Sequence, residues 1–593
     1  MDMVKISYIS ESYSVEIVTD SHNQAWAEIR RVCEENAVEI IVPSDRNIVM
    51  PWWSFLSSVN GINLIVKKYN LPLTLDENVK KYLLLAQETR KQFKNTLNSK
   101  PVSEHFITDK LEAIGFKRKL TPEQLRNVTK LYSLPGGATF SVPGAGKTTE
   151  ALALYFLKKK EDSRLLIVAP KNAFSAWEEQ IIECIENPPT ITRLRGGESN
   201  IRNILKNRPD ISLITYSQFP KVINILAKYF SNSNFIMFLD ESHRIKRGHD
   251  GIIGKSILRL SHLPETKLIM SGTPMPNAPV DLVPQFNFLY PEIRVDEETV
   301  LNQIQSIYVR TTKDELKLKK YKVTMTRVEM GLNQRKLYNL LKSEELRQLE
   351  QLKGSDILKL RHMGKSVIRM LQVTSNPALL LKSKSSISQE IIDMIVEAES
   401  SKLDYVCNKV RKLASQGEKV LIWSSFVENI ELLSERLVDL GADYIHGGID
   451  SGLEEESDTR EAKIKRFHED PNALVLIANP AAAGEGISLH KVCHYAIYLD
   501  RNYNAAQFLQ SIDRIHRLGL SSEIDTNIEI VFCPDSIDES VERRLAFKIE
   551  NMARVLNDPS LSIEPEYSDE EVQIDNFNSG DAADFIKHLR NRK

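Results

Sequence analysis

SVPGAGKTTEALALYFLKK, residues 141–159, is the stretch on which the rest of the chain turns. Two glycines, Gly144 and Gly146, allow backbone N–H groups to approach an anion closely, and Lys147 and Thr148 open a helix whose N-terminus favours negative charge. A triphosphate needs this arrangement. Ser141, Val142, Pro143, Gly144, Ala145, Gly146 and Thr149 would line the cradle, Lys147 would reach the β- and γ-phosphates, and Thr148 would ligate Mg2+. The usual first glycine of such a loop is Ser141 here, and by itself the stretch also fits a glycine-rich turn carrying a solvated lysine.

Ninety-odd residues further on, FIMFLDESHRIK places Asp240 and Glu241 at the end of an apolar run. That is where an open parallel sheet presents its ligand-binding edge. Asp240 suits the metal and Glu241 suits a water that must be oriented or deprotonated. An isolated acidic pair would more readily be a strand-to-helix cap; its position after the loop gives it the chemical reading. In QSIDRIHRLG, residues 510–519, helical spacing would project Gln510, Arg514 and Arg517 from one face. Those arginines would stabilise charge on a transferring phosphoryl group, while the bland alternative is a solvated basic face.

Short Val/Ile/Leu-rich runs at 165–170, 235–240, 267–272, 420–423 and 473–478 alternate with amphipathic stretches, the pattern of buried parallel strands in α/β domains. They fall into two groups, about 116–320 and 402–557, separated by a breaker-poor helical stretch. The 593 residues exceed what one core organises. With 78 basic against 80 acidic side chains the formal charge is -2, so a polyanion must be held by a local cleft rather than by bulk charge. Five scattered cysteines form no zinc or disulfide pattern and favour a reducing compartment. Lacking a basic head with an apolar stretch or a run of bilayer length, the chain is expected to be cytoplasmic and nucleoid-associated, with no membrane partner.

Taken together the motifs resemble a superfamily 2 helicase-like ATPase of the Swi/Snf type over about residues 117–557. LTPEQLR carries Gln124 at the place of the adenine-reading glutamine, SVPGAGKT is motif I, LLIVAPKNAFSAWEEQ resembles motif Ia, LITYSQF motif Ib, LDESH motif II and MSGTPMPN motif III. DLVPQFNFLYP, YVRTTKDEL and LQVTSNPALL resemble segments that mark this family, YIHGG resembles motif IVa, the loop with Gly484 and Gly486 motif V, and QSIDRIHRLG motif VI. The resemblance implies two tandem RecA-like parallel-sheet domains, at 116–325 and 401–560, joined by a helical bridge at 326–400. It also implies ATP with Mg2+ as cofactors, with Gly486 and Gln510 among the ATP contacts, and double-stranded DNA tracked through its backbone. His243, Ser271, Gly272 and Thr273 would couple the nucleotide to the DNA groove. Lys171, Asn172, Thr215, His446 and Gly447 stand where the family places phosphate contacts, although each also fits a loop residue facing water.

Outside that span, residues 1–115 read as a small α/β module, with an exposed-looking pair, Trp52 and Trp53, that serves either packing or a protein partner. Residues 561–593, acidic and poor in large apolar side chains, read as a loose tail. LKLKKYK, 316–322, reads as a strand with an exposed lysine face rather than as a basic groove. The expected activity is ATP-driven translocation on duplex DNA, with no small-molecule substrate besides ATP. A strand-separating or annealing helicase, an RNA helicase and a non-catalytic DNA-binding scaffold compete with it. The scaffold reading expects the loss of Lys147, Glu241 or Arg517, and all three are present.

Overall fold

The computed structural model describes residues 3–37, 39–96, 102–230, 234–351, 356–382, 389–398, 400–449, 459–483, 487–520, 524–561 and 579–590. The chain divides into two compact units, the first comprising residues 1–275 and 279–311, the second 276–278 and 312–593.

The first unit is built on a seven-stranded sheet ordered Tyr308–Val309, Gly136–Thr139, Thr266–Met270, Phe235–Asp240, Arg164–Ala169, Ile211–Thr215 and Ile191–Arg193. Every pairing in it is parallel. Its central strands are apolar on both faces because helices cover both, so Phe235 to Leu239 and Leu165 to Ala169 are buried throughout. The parallel arrangement brings all the strand C-termini to one edge. The phosphate loop, the acidic pair after Phe235–Asp240 and the turn after Thr266–Met270 therefore emerge side by side.

The described residues between 3 and 113 form a five-stranded sheet in the order Ile41–Ser44, Asn47–Pro51, Ser14–Thr19, Val4–Ile9, Leu73–Leu75, with the helices Gln24–Asn36, Trp52–Lys68, Glu77–Thr96 and Glu104–Ala113. Only the pairing of Val4–Ile9 with Leu73–Leu75 is parallel. This module is packed into the first unit, and the tryptophan pair is not exposed. Trp52 is 1% and Trp53 9% accessible, because each side chain is covered by a histidine of the sheet domain. Trp52 lies against His262, with Tyr8 and Tyr82 around it, and Trp53 stacks on His249 with centroids 3.8 Å apart. The Tyr8 hydroxyl and His262 Nε2 are 2.7 Å apart, and Arg259 donates to the Ser12 carbonyl at 2.9 Å.

The second unit holds a six-stranded, wholly parallel sheet ordered Lys322–Arg327, Asn527–Phe532, Tyr495–Tyr498, Val420–Trp423, Val475–Ala478 and Asp443–Ile445. Its first strand corrects the boundary expected at 326. Lys322–Arg327 pairs along its length with Asn527–Phe532, so the second unit begins before the helical segment Leu332–Gln351, Asp356–Ser375 and Gln389–Val396. LKLKKYK is likewise not a strand: only Lys322 enters one, Lys317 takes a left-handed φ of 54°, and Lys319 and Lys322 are both paired with Asp525.

The tail differs too, since Ser579–Arg590 is helical. Its Phe585 and Leu589 are buried, Asp581 pairs with Arg544 at 2.6 Å and with Lys548 at 3.1 Å, and His588 meets the Tyr338 hydroxyl at 2.8 Å. Its apolar positions are too few to announce a helix in sequence, and tertiary ion pairs decide it. Among the described residues no helix is long and apolar enough to cross a membrane.

Candidate functional site

In the first unit, Gly144 and Gly146 have φ of 88° and 82°, the left-handed region open to glycine, and the helix Lys147–Lys158 starts directly after them. The backbone angle calls for glycine at 146, and a Cβ there would also lie 2.2 Å from Gln124 Nε2 and displace that amide. Lys147 Nζ donates to the carbonyls of Ser141 at 2.9 Å and Val142 at 3.4 Å, which holds the ammonium over the loop.

Ser141 explains its own departure from glycine. It is fully buried, and its hydroxyl accepts from Thr311 N at 3.0 Å and lies 3.1 Å from Thr139 Oγ1. Below it sits Glu150, fully buried, accepting from Asn127 Nδ2 and Thr139 Oγ1, both at 2.8 Å. Burial raises this carboxyl to about 7 against the pull of those hydrogen bonds and of Lys147.

Gln124 and Thr149 hold partners different from those a nucleotide would supply. Gln124 donates to Ala145 O at 3.0 Å and accepts from Thr121 N at 3.1 Å in a capping box, so it supports the loop from behind. Thr149 is buried and donates to Gln180 at 3.0 Å. Thr148 is half-buried on the first turn of the helix Lys147–Lys158.

At the neighbouring strand end, Asp240 Oδ2 accepts from Trp177 Nε1 at 3.0 Å, and its carbonyl accepts from the Tyr216 hydroxyl at 2.7 Å. Sequence reading passed over Trp177. A fully buried tryptophan seeks a partner for its N–H, and this one orients the carboxylate. Glu241 has φ 53°, a strained angle for a non-glycine residue. Burial opposes its ionisation, but the hydrogen bond and charge of His243, with Lys147 and Arg244 nearby, outweigh burial and hold it below the usual carboxylate range.

His243 Nδ1 is 3.4 Å from Glu241 Oε2 and 3.1 Å from Ser271 Oγ, and Ser271 Oγ donates to Glu241 at 3.4 Å while accepting from Thr273 N at 3.1 Å. Gly272 abuts the loop: a Cβ on it would meet Pro143 Cδ at 2.9 Å. His243, Ser271, Gly272 and Thr273 thus join the acidic pair to the phosphate loop. Lys171 and Asn172 follow the strand Arg164–Ala169, and Thr215 is the last residue of the adjacent strand Ile211–Thr215, at the same edge; Lys171 is exposed, and the Thr215 hydroxyl caps its own turn by accepting from Gln218 N.

Residues of the second unit depart more from expectation. Gln510, Arg514 and Arg517 do not share a helical face, because the helix Ala505–Ile512 ends before either arginine. Tertiary bonds break it: Asp513 pairs with Lys313 at 2.5 Å, Leu489 N donates to Arg514 O at 2.8 Å, and His516 meets Lys319 O at 2.6 Å. The buried Arg514 guanidinium donates to Gln510 O at 2.8 Å and Ile487 O at 2.9 Å, bracing the chain at 487–489. Arg517 is half-buried in the turn, and Gln510 is buried. Gly484 and Gly486 lie outside the described residues. His446 follows the edge strand Asp443–Ile445, stacks on Tyr444 and accepts from Gly448 N at 3.1 Å, with Gly447 beside it.

The chain matches the SNF2-related domain over residues 123–379 and the helicase conserved C-terminal domain over 401–519. It is similar to the CHD3-type chromatin-remodeling factor CHR7 of Arabidopsis thaliana, at 25% identity covering 74% of this chain and 38% of that protein. It is also similar to the ISWI chromatin-remodeling complex ATPase ISW2 of Saccharomyces cerevisiae, at 23% covering 73% and 40%. To the DNA annealing helicase and endonuclease ZRANB3 of Bos taurus the identity is 21%, covering 79% and 43%. The chain therefore spans about two-fifths of the length of these relatives. Among solved structures it resembles the Sulfolobus solfataricus SWI2/SNF2 ATPase core in complex with dsDNA, at 18% identity and TM-score 0.32, covering 75% of this chain and 95% of that one.

Proposed function

The chain belongs to the SNF2 family, pairing an SNF2-related domain with a helicase C-terminal domain, and from that premise we propose that it is an ATP-driven motor that tracks duplex DNA. The observation that carries the proposal is the connected path Glu241–His243–Ser271, continued through Gly272 to Pro143 of the phosphate loop. A phosphate site alone would bind nucleotide. A path from the Glu241 carboxylate to the turn after the next strand would give hydrolysis a mechanical outlet.

In this mechanism Lys147 holds the terminal phosphates, and Glu241, kept ionised by its neighbours, accepts a hydrogen bond from the attacking water and orients it. Among the described residues no group of three or more His, Cys, Asp or Glu could hold a metal alone. Asp240, whose carboxylate Trp177 orients, and Thr148 would hold Mg2+, an ion that takes oxygen ligands and needs few from the protein. When bound, the ion neutralises phosphate charge. Arg517 is assigned to the transition-state charge, and Arg514 to bracing the chain at 487–489.

Lys171, Asn172, Thr215, His446 and Gly447 are assigned to the DNA backbone, which implies little base readout. Five free, buried cysteines are in keeping with a reducing setting, and a cytoplasmic, nucleoid-associated location is proposed with the DNA-motor reading. The test is ATP turnover measured in parallel with no nucleic acid, single-stranded DNA, duplex DNA, forked DNA and RNA. Duplex DNA should give the largest stimulation. Turnover driven by RNA or single strands alone would reject the duplex assignment, and absence of turnover under all five conditions would reject the motor.

A further inference from the structure

Behind the phosphate loop lies a buried polar cluster drawn from four separate stretches of the first unit. Asn127, Thr139, Ser141, Glu150 and Thr311 are each at most 1% accessible. Asn127 Nδ2 lies 2.8 Å from Glu150 Oε1, 3.0 Å from Thr311 Oγ1 and 3.5 Å from Ser141 Oγ. Thr139 Oγ1 is shared between Glu150 Oε2 at 2.8 Å and Ser141 Oγ at 3.1 Å.

Backbone bonds run the same way. Thr311 N donates to Ser141 Oγ, Val142 N donates to Thr311 O at 3.0 Å, Phe140 N donates to Val309 O at 2.9 Å, and the Arg310 guanidinium donates to Phe140 O. Arg126 in turn donates to Arg310 O at 2.9 Å. Thr311 is the last residue of the first unit. The carbonyls of Ser141 and Val142, on the other side of the same two residues, receive Lys147 Nζ.

We propose that Asn127 is a positioning residue that ties the phosphate loop to the chain at Thr311, so that occupation of the loop and the path by which the chain leaves the first unit are set together. The proposal rests on the ATP reading above and adds its coupling route. Apolar side chains would fill this space without desolvating any polar group, so stability alone does not call for five buried polar residues. What polar groups add is direction: each bond fixes which backbone atom faces which. Asn127 and Ser141 each reach three of the others: Asn127 bridges Glu150, Thr311 and Ser141 through its side-chain amide, and Ser141 is where loop and exit meet. A glycine at 141 would leave the Thr311 N–H without that hydroxyl acceptor.

Hydrogen exchange of the full chain, with and without ATPγS and magnesium, tests the proposal. In the wild type the nucleotide should protect residues 141–149 and also 309–313. Asn127→Leu, similar in size and unable to hydrogen-bond, should keep protection at 141–149 while reducing that at 309–313 by about fivefold or more, the lower end of measured coupling between sites. Thr311→Val should do the same and Thr311→Ser should restore it, a pair that decides the matter if Asn127→Leu does not fold. Equal protection of 309–313 in wild type, Asn127→Leu and Thr311→Val would overturn the proposal, as would a wild type protected at 141–149 alone. No protection at 141–149 in the wild type would instead remove the ATP reading, and this proposal with it.

Discussion

Gly272→Ala measures how tightly the turn after Thr266–Met270 is set against the phosphate loop. Gly272 lies outside the left-handed φ region, so alanine is acceptable to the backbone and any effect comes from space. The added Cβ would stand 2.9 Å from Pro143 Cδ and 3.2 Å from Cγ. Carbon atoms settle near 3.5–4.0 Å, so the ring must retreat by about 0.6–1 Å. Pro143 cannot swing aside as a long side chain would, because its ring is part of the loop backbone. Such overpacking costs about 1–3 kcal/mol where nothing yields. If the loop yields instead, the phosphates move with it, and a displacement near 1 Å costs about 10²-fold in rate. Steady-state ATP turnover should show kcat/KM down by that order, with thermal unfolding of the variant reporting whichever part of the strain is not relieved. Gly197→Ser is the control: a Cβ there meets nothing within 4 Å, and serine is a better N-cap for Glu198–Lys206, so its turnover should match the wild type. Wild-type kcat/KM in Gly272→Ala would refute the idea that this contact sets the loop.

Glu241→Gln should retain ATP binding, measured with a fluorescent analogue, and lose hydrolysis by about 10²-fold or more, whereas Lys147→Ala should lose both. Glu150 predicts a pH dependence. Its folded value of about 7 lies above the ordinary 4.5, so the folded state holds the extra proton and this group's contribution to stability is lost as pH rises from about 4.5 to 7. Glu150→Gln removes the penalty, so the stability gap in its favour should widen over that window, by about 3 kcal/mol at most, and stay level above it in denaturant titrations. Trp52→Ala should cost about 3–5 kcal/mol, and removing residues 1–115 should leave the first unit insoluble; a soluble, DNA-stimulated core would show that the module is an independent recognition domain. All five cysteines are buried, and burial pushes the Cys493 thiol up to about 12, so a thiol reagent should label the native chain far more slowly than the chain in guanidinium.

The local sequence determined those features that depend on neighbours along the chain. Short doubly apolar runs that alternate with amphipathic stretches fit strands covered on both faces, so the two parallel sheets were legible from the runs at 165–170, 235–240, 267–272, 420–423 and 473–478 taken together. Gly144 and Gly146 announced a loop whose backbone can approach an anion, which the structure builds with left-handed φ at both, and the acidic pair ending an apolar run announced the strand edge at which Asp240 and Glu241 stand. Tertiary structure decided whatever depends on partners distant in sequence. The helix expected to carry Arg514 and Arg517 stops at Ile512 because Lys313, Lys319 and Leu489 bind its continuation. Trp52 and Trp53 are covered by His262 and His249, some two hundred residues away, which no local pattern reveals. Ser141 looked like a defect in a glycine pattern until Asn127 and Thr311 stood beside it. A helical or strand period is written by residues a few positions apart, whereas the partner of a buried polar atom is chosen by the folded chain as a whole, and that choice becomes visible only when the distant segments are brought within hydrogen-bonding distance.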